Sequence, residues 1–252
     1  MFAYRKKTRE EALREQIKEL AKEHYRWGYR LLFNYIRRLG ENANHKKFLM
    51  IYREEHLQIG KRSRRKERRF DRIKSEEPKG INERWSMDFM YDVLENKRSY
   101  RILNVIDDHN RECLCCEVSR SFGGYDVAEA LEKLISRYGK PKVIKSDNGA
   151  EFRSRYMEKW SKERGITLEF TRPGKPTENG QIESFNGTMR NELLRGIEFE
   201  SVMEARAELE KWREKYNNER PHSALNYEPP SSRRRPHGGD GKENKLETTK
   251  PI

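Results

Sequence analysis

The chain has 252 residues, of which 33% are hydrophobic and 38% are charged, and its formal net charge is +13. This length accommodates one large domain or two small ones, and the charge content leaves much of the chain as solvated surface or extended arms. No apolar run reaches the length of a membrane span and residues 1–20 are charged throughout, which excludes a signal peptide and predicts a soluble cytoplasmic protein.

The positive charge lies mainly in the first third of the chain. Residues 1–80 contain 24 Lys and Arg against 12 Asp and Glu, whereas residues 81–252 contain 31 against 30. A concentrated basic segment is the electrostatic footprint of a polyanionic partner, and nucleic acid is the usual one. The alternative is a surface that only keeps the protein soluble.

Residues 1–60 are predicted to form a small helical module. Apolar residues recur at helical spacing, and a turn after residue 24 and a glycine at position 40 interrupt them. The predicted helices cover residues 8–24, residues 31–39, and a segment from its cap Asn44 to about Glu55. Short helices joined by tight turns, with Lys46 and Lys47 exposed, are typical of helix-turn-helix-like DNA-binding modules. A helical hairpin that docks on the main domain is the alternative.

A strongly basic segment follows this module. Residues 61–69 contain seven basic residues and one acid, so no apolar face can be drawn through them. Like charges repel each other and keep such a segment extended. Residues 61–80 are therefore predicted to be a linker, either simply solvated or lying on DNA phosphates. Its predicted DNA contacts are Arg62, Arg64, Arg65, Lys66, Arg68 and Arg69.

Residues 81–230 are predicted to form an α/β domain. Strands are predicted at 84–92, 99–106 and 111–118 from alternating apolar residues, and the short connections between them make these strands antiparallel. Helices and strands then alternate, with helices at 125–138 and 154–164, strands at 142–146 and 166–170, and final helices at 178–194 and 201–216.

This order of elements predicts a ribonuclease H-like fold, a five-stranded mixed sheet with helices on both faces. The right-handed crossover rule makes the last two strands parallel to the first. Residues 231–252 are predicted to be a disordered tail, because they are polar and rich in Arg and Gly.

The three cysteines are crowded into five residues. Cys113, Cys115 and Cys116 do not form a disulfide framework, and no matching Cys or His pair for zinc lies nearby. Strand alternation predicts that Cys113 and Cys115 share one face and that Cys116 points the other way. We interpret them as small buried hydrophobic residues in a reducing compartment.

Three acids stand far apart in the chain, each in a different local context. Asp88 lies in the first predicted strand, Asp147 follows the fourth strand, and Glu183 lies near the start of a helix. Each acid taken alone has an ordinary alternative as a salt-bridge partner or as a helix-dipole ligand. Taken together, carboxylates on separate elements of an α/β sheet favour a site for divalent metal ions.

Phosphodiester chemistry is the reaction class that such a site favours. Mg²⁺ prefers carboxylate oxygens and keeps several of its waters. Two ions about 3.5–4 Å apart activate an attacking oxygen and stabilise the leaving one. The sequence lacks a P-loop, so a long phosphodiester is favoured over a nucleoside triphosphate.

Several ordered motifs resemble those of bacterial insertion-sequence transposases. The second reading-frame product of the insertion sequence three family is the most similar, and the resemblance covers roughly residues 1–230. The motifs that carry it are Trp27–Arg30, Asn44–Lys46, Trp85–Phe89, Ser146–Phe152, Glu178–Gly187 and Tyr216–Tyr227.

This resemblance implies a DDE polynucleotidyl transferase that is related to retroviral integrase. Asp88, Asp147 and Glu183 would be its catalytic and metal-binding residues, with two Mg²⁺ or Mn²⁺ ions per active site. Arg190, two helical turns after Glu183, would contact DNA, unless it is a plain surface residue of the helix. The implied partners are transposon-end and target DNA, a first reading-frame product or fused upstream domain, and further copies of the chain, near the nucleoid.

One segment departs from the family pattern, and two other functions stay open. Asp107, Asp108 and His109 stand where the family often has other residues, and we interpret them as turn residues. A non-catalytic DNA-binding regulator of transposition would bind DNA without the acids. A simple ribonuclease H-like nuclease would cut DNA without joining strands.

Overall fold

Three helices form the amino-terminal part of the molecule. The computed structural model describes residues 2–60, 77–172 and 179–234, with only the backbone for residues 2–9. The helices are α1 (Phe2–Glu23), α2 (Tyr29–Arg38) and α3 (His45–Glu54). They enclose a small apolar core in which Ile17, Ile36, Phe48 and Ile51 are fully buried. The three predicted helices are confirmed.

The predicted cap of the third helix is also confirmed. The side-chain oxygen of Asn44 accepts hydrogen bonds from the backbone N–H groups of Lys46 and Lys47. Two of the N–H groups that have no partner inside the helix are thereby satisfied, which fixes where α3 begins.

A five-stranded sheet follows, in the order β3-β2-β1-β4-β5. Its strands are β1 (Arg84–Val93), β2 (Ser99–Asp107), β3 (Cys113–Ser119), β4 (Val143–Ser146) and β5 (Thr167–Phe170). β1, β2 and β3 pair antiparallel, whereas β4 pairs parallel with both β1 and β5. The predicted mixed topology is confirmed.

Helices cover both faces of the sheet, as predicted. On one face lie α4 (Gly124–Tyr138) and α5 (Arg155–Arg164), which pack on Trp85 and Met87. On the other lie α6 (Gly180–Met189) and α7 (Val202–Asn218), which pack on Met90 and Ile102. Because side chains alternate along β1, Asp88 faces the side of α6 and α7.

The last turn of α6 differs from the prediction. The predicted helix runs to residue 194, but residues Arg190–Leu194 form a π-helical turn after Met189. Leu193 and Leu194 are buried there against the core. The wider turn rotates the chain so that these leucines face inward, which a purely α-helical pattern does not predict.

The predicted disordered tail begins too early. Residues Pro230–Arg233 form a 3₁₀ turn, and Arg234 pairs with the buried carboxylate of Glu112. The turn is ordered because these contacts tie it to the end of β3 and to α7. Residues 235–252 of the predicted tail, and residues 61–76 of the predicted linker, lie outside the described residues.

The prediction for the cysteine faces is wrong. Cys113 and Cys116 lie on the α7 side with their Sγ atoms 3.2 Å apart, whereas Cys115 packs on the α4 side. A β-bulge causes this change, because Val105 pairs with Cys115 while the next residue, Ile106, pairs with Cys113. The extra residue shifts the alternation by one position.

The turn after β2 is confirmed, and its two acids have structural partners. The carboxylate of Asp107 accepts hydrogen bonds from the backbone N–H groups of Asn82 and His109. Asp108 accepts a hydrogen bond from Arg84 at 2.5 Å. In the part of the chain that the structure describes, no helix has the length and apolar character that crossing a membrane requires.

Candidate active site

Asp88 lies half-buried in the middle of β1, directly under α6. Its Oδ1 accepts a hydrogen bond from the backbone N–H of Phe89 at 2.9 Å. Its Oδ2 accepts one from the side-chain amide of Asn186 at 2.8 Å. The carboxylate is therefore held on two sides, and its orientation is fixed by one strand and one helix.

Asp147 lies in the loop that leaves the carboxyl end of β4. Its Oδ1 accepts a hydrogen bond from the backbone N–H of Gly149 at 2.9 Å, so the carboxylate folds over its own turn. A Cβ atom at position 149 would approach that oxygen to 3.1 Å and Phe152 to 3.3 Å. A glycine at position 149 therefore avoids crowding in this turn. The carboxylate of Asp147 is exposed, and its second oxygen is available to bind a ligand.

Glu183 lies in the first turn of α6, on the exposed side of the helix. The opposite side carries Ile182, Phe185 and Met189, which are buried in the core. Phe185 packs edge-on against Trp212 and Tyr216 of α7, with ring centroids 5.6 and 5.0 Å away. This anchoring fixes the rotation of α6 and thereby the direction in which Glu183 leaves it.

The electrostatics of Asp88 indicate that the three acids share one region. The pKa of Asp88 is raised to about 6, first by burial and then by the negative charges of Asp147 and, more weakly, Glu183. Partial burial also raises the pKa of Glu183. Burial and the neighbouring negative charges together outweigh the hydrogen bonds from Phe89 and Asn186, which favour the charged carboxylate of Asp88.

A buried relay of two amides stands behind Asp88. Asn104, on β2, pairs in register with Asp88 and is fully buried. Its side-chain amide donates to the Oδ1 of Asn186 at 2.8 Å, and Asn186 in turn donates to Asp88. The sequence prediction missed both residues. The only sequence signal for this pair was Asn104 itself, a single polar residue inside the apolar run Ile102–Ile106.

A second group of contacts supports the loop of Asp147. Phe152 stacks on Phe89 with ring centroids 4.8 Å apart and planes within 7° of parallel. Arg101, on β2, pairs with Glu151 and lies 4.0 Å over the ring of Phe89. The loop is therefore fastened to β1 and β2 by one aromatic stack, one ion pair and one cation–π contact.

The predicted DNA contacts fall into three groups. Arg190 is exposed at the end of α6, and its guanidinium donates to the carbonyl of Tyr91 at 3.3 Å. Lys46 is exposed on α3, whereas Lys47 pairs with Glu10 at 2.6 Å. The arginines and lysine of the basic linker, residues 62–69, lie outside the described residues.

The donor set fits hard divalent cations. Carboxylate oxygens are the ligands that Mg²⁺ and Mn²⁺ prefer. After burial, the like charges of Asp147 and Glu183 raise the pKa of Asp88, and cations would relieve this repulsion. Among the described residues, the one group of three donors within 4.8 Å of one another lies elsewhere, at Glu23, His24 and Glu219. The ligand atoms of Asp88, Asp147 and Glu183 are therefore not all within that distance of one another.

Two family models and a close relative match this chain. A model described as "Integrase core domain" matches residues 78–176, and another with the same description matches residues 164–230. An uncharacterised protein of insertion element IS407 from Burkholderia multivorans is 41% identical over 221 residues, which are 88% of this chain and 80% of that protein. This chain belongs to the bacterial insertion-sequence transposases with an integrase core domain.

Other similarities agree with this family. The putative transposase InsK of element IS150 from Escherichia coli is 25% identical over 82% of this chain and 77% of its own length. The insertion sequence three family is consistent with the IS150 and IS407 relatives. As a member of this family, the protein is a DNA transposase of the integrase type, a polynucleotidyl transferase.

Solved integrase structures share its fold. A chain of the simian T-cell lymphotropic virus intasome aligns with a TM-score of 0.58 at 17% identity, over 93% of this chain and 80% of that chain. The HTLV-2 integrase catalytic core, in complex with magnesium, aligns with a TM-score of 0.50 at 17% identity, over 61% and 97%. At this identity the comparison establishes the fold alone, the ribonuclease H-like integrase core.

Proposed function

We propose that Asp88, Asp147 and Glu183 are the catalytic acids with which this transposase cleaves DNA ends and joins them to a target. The observation that carries this proposal is the electrostatic environment of Asp88, where burial and then the negative charges of Asp147 and Glu183 raise the pKa of the carboxyl group to about 6. Such a cluster of like charge becomes favourable when divalent cations occupy it.

The three acids would hold two Mg²⁺ or Mn²⁺ ions. Asp88 and Asp147 would share one ion, and Glu183 would complete the second site. Two such ions activate an attacking hydroxyl and stabilise the leaving oxygen of a phosphodiester. The HTLV-2 integrase core, which shares this fold, is in complex with magnesium, and this supports a divalent metal here.

The protein's own contribution would be to hold the acids still. Asn186 fixes one oxygen of Asp88, and the backbone N–H of Gly149 fixes one oxygen of Asp147. Asp147 keeps its second oxygen outside this bond, and each oxygen of Asp88 keeps a lone pair beside the one hydrogen bond that it accepts. Carboxylates that are oriented before substrate arrives lose little entropy when the reaction begins.

DNA would be held by basic residues on three parts of the chain. We propose that Arg190 contacts the DNA next to the acids, since it leaves the same helix as Glu183 and is exposed. Lys46 and Lys47 would contact DNA from the helical module, although Lys47 would first have to leave Glu10. The basic residues at 62–69 would lie along phosphates.

Each proposed function is assigned to one of the predicted domains. We propose a DNA-binding module at residues 1–60, a linker at 61–80 and the catalytic core at 81–230. A first reading-frame product or a fused upstream domain would select the transposon ends. Further copies of the chain would join the DNA complex, as the intasome assembly of the simian T-cell lymphotropic virus relative supports. The complex would act at the nucleoid.

Product analysis on labelled duplexes that carry the element's ends tests this function. With Mg²⁺ or Mn²⁺ we expect both cleaved ends and strands joined to a second duplex. Asp147→Asn and Glu183→Gln should abolish both products and leave DNA binding intact. Cleavage without joined strands would indicate a simple nuclease, and DNA binding without any metal-dependent product would indicate a regulator.

The role of Arg190 is tested by measuring the affinity of an Arg190 variant of the protein for the same duplexes. Arg190→Gln should weaken binding and reduce the salt dependence by roughly one phosphate contact. The matched control is Lys159→Gln, which removes the same charge from α5 on the opposite face of the sheet. If both substitutions weaken DNA binding equally, Arg190 contributes only to the overall positive charge of the protein and makes no specific DNA contact.

A further inference from the structure

A second cluster of metal-ligating side chains lies between the helical module and the core. Glu23 ends α1, His24 follows it, and Glu219 caps the end of α7. One ligand atom from each of these residues lies within 4.8 Å of the other two. The cluster therefore joins two parts of the molecule that are far apart in the chain.

The imidazole of His24 is buried and has an unused nitrogen. Its side chain is 4% exposed and stacks on Trp27 at 3.8 Å, with Tyr35 edge-on at 5.4 Å. Its Nε2 finds no hydrogen-bond partner among the described residues, and the Oε2 of Glu23 is 4.0 Å away. A buried polar nitrogen without a partner is costly, so its presence needs a physical reason.

The nitrogen of His24 that has no hydrogen-bond partner among the described residues is an atom that can bind a metal. When the ring is neutral, one of its two nitrogens carries a lone pair. Neutral imidazole is the form of histidine that coordinates metal ions.

The backbone of Glu219 is held in place on the core side. Its carbonyl accepts a hydrogen bond from the Nη2 of Arg38 at 2.9 Å, and its N–H donates to the carbonyl of Lys215 at 2.9 Å. Lys215 also reaches toward the Oε1 of Glu23, at 3.9 Å, a long contact that competes weakly for this carboxylate. The two acids are thus positioned by contacts that leave most of their oxygens free to coordinate.

There is room for a hydrated ion beside this cluster. A cavity of about 290 Å³ opens between the two parts of the molecule. Glu23, His24 and Trp27 line it from the module, and Trp212 and Lys215 line it from α7. Two members of the cluster, Glu23 and His24, therefore border a space that water can enter.

We propose that Glu23, His24 and Glu219 bind one Zn²⁺ ion, which fastens the helical module to the catalytic core. One imidazole and two carboxylates are ligands that zinc accepts, at distances near 2.0–2.2 Å, with water in the fourth position. Magnesium is a poorer match because it prefers oxygen ligands alone. The glutamate side chains reach these distances by rotating, since Glu23 is exposed and Glu219 is partly so.

This ion would add to polar contacts that already cross the junction. Arg26 donates to the carbonyl of Arg195 at 2.8 Å, and Arg38 donates to that of Glu219. A metal bond from α1 to the end of α7 would restrict rotation of the module relative to the acids. The basic residues of the module would then be held at a set distance from the active site.

Zinc binding by the full chain tests the proposal. The measurements use Asp147→Asn protein, so that the acids of the active site bind metal weakly, and Zn²⁺ alone is titrated against a chelator of known affinity. We expect one tight Zn²⁺ per chain and a rise in melting temperature on binding. Co²⁺ in place of Zn²⁺ should give visible absorption bands of a four-coordinate site.

Substitutions in the cluster separate this site from adventitious binding. Glu219→Gln and His24→Gln should each weaken Zn²⁺ at least roughly tenfold and remove the cobalt bands. Glu208→Gln is the matched control, since Glu208 lines the same cavity from α7 and pairs with Lys211. If Glu219→Gln, an isosteric change that keeps the backbone bonds, binds Zn²⁺ as tightly as the control, the proposal is wrong. It is equally wrong if the unsubstituted cluster binds no zinc.

Discussion

The two faces of the central sheet bury different kinds of side chains. The face under α4 and α5 packs apolar residues such as Val127, Leu131 and Met157 against β1 and β2. The face under α6 and α7 is also apolar at its centre, but it buries Asn104 and Asn217 as well, which are 0% and 1% exposed. The proposed catalytic acids lie on the side of this second face. We infer that its buried polar groups position those acids, while the first face mainly stabilises the fold.

The largest expected effect is on stability and comes from the apolar face. Leu131→Ala removes a fully buried side chain between α4 and the sheet, and should cost about 2–5 kcal/mol in free energy of unfolding. Strand transfer per folded molecule should stay within about twofold, because Asp88 faces the other side of the sheet and Glu183 lies on α6. Chemical denaturation and an active-site titration measure the two quantities. A large activity loss in the folded fraction would mean that the two faces are not separate in function.

The next largest effect is on activity and comes from the polar face. Asn186→Ala removes the donor to Asp88 and leaves the amide of Asn104 without its acceptor, so activity should fall roughly 10–100-fold. Restoring the amide with Asn186→Gln should recover little, because the longer side chain displaces the donor. Metal affinity, measured on the same protein, should fall with activity.

Thr188→Ala is the matched control for this substitution. Thr188 lies on the same helix, and its hydroxyl donates only to the carbonyl of Ser184, one turn earlier. It should leave metal affinity and activity unchanged. If both substitutions act alike, the relay behind Asp88 has no special role.

The smallest effect is on the pH dependence of stability without metal. The folded-state pKa of Asp88, about 6, is above its ordinary value of 3.8, so the folded protein holds this proton more tightly than the unfolded chain. The group therefore destabilises the fold increasingly as pH rises from about 4 to 6, and fully above that range. Asp147→Asn removes one cause of the raised pKa and should raise the melting temperature by a few degrees at most above pH 6.

Thermal melts in a chelator between pH 4 and 8 measure this effect. The gain from Asp147→Asn should vanish near pH 4, where Asp88 carries its proton and the repulsion is gone. A gain of the same size at pH 4 and pH 7.5 would have another origin. Added Mg²⁺ should reverse the order, because it stabilises the protein that has both carboxylates.

Local patterns predicted most of the fold. The alternation of apolar residues predicted strand β1, which carries Asp88, and the cap Asn44 predicted where α3 begins. Regular periodicity cannot predict an extra residue in a turn or a strand. The π turn after Met189 and the bulge opposite Cys113 both escaped prediction for that reason.

The sequence predicted the candidate acids but not what surrounds them. Asp88, Asp147 and Glu183 stand in recognisable motifs, whereas Asn104 looks like an isolated polar residue in an apolar strand. Its role depends on register with Asp88 and on contact with α6, both of which are set by tertiary packing. The junction of His24 with Glu219 depends likewise on how α1 and α7 meet.

The most direct test of the account is the number of Mn²⁺ ions that the acids bind, measured by electron paramagnetic resonance. The titration uses Glu219→Gln protein, so that the junction cluster is not counted. We predict two ions displaced by Mg²⁺, both greatly weakened by Asp88→Asn. Asp92→Asn is the matched control and should leave the affinity for both ions unchanged. Asp92 lies on the same side of β1 as Asp88, and its Oδ1 likewise accepts a hydrogen bond from the N–H of the next residue at 2.9 Å. Unchanged Mn²⁺ binding in Asp88→Asn would contradict the proposed catalytic centre.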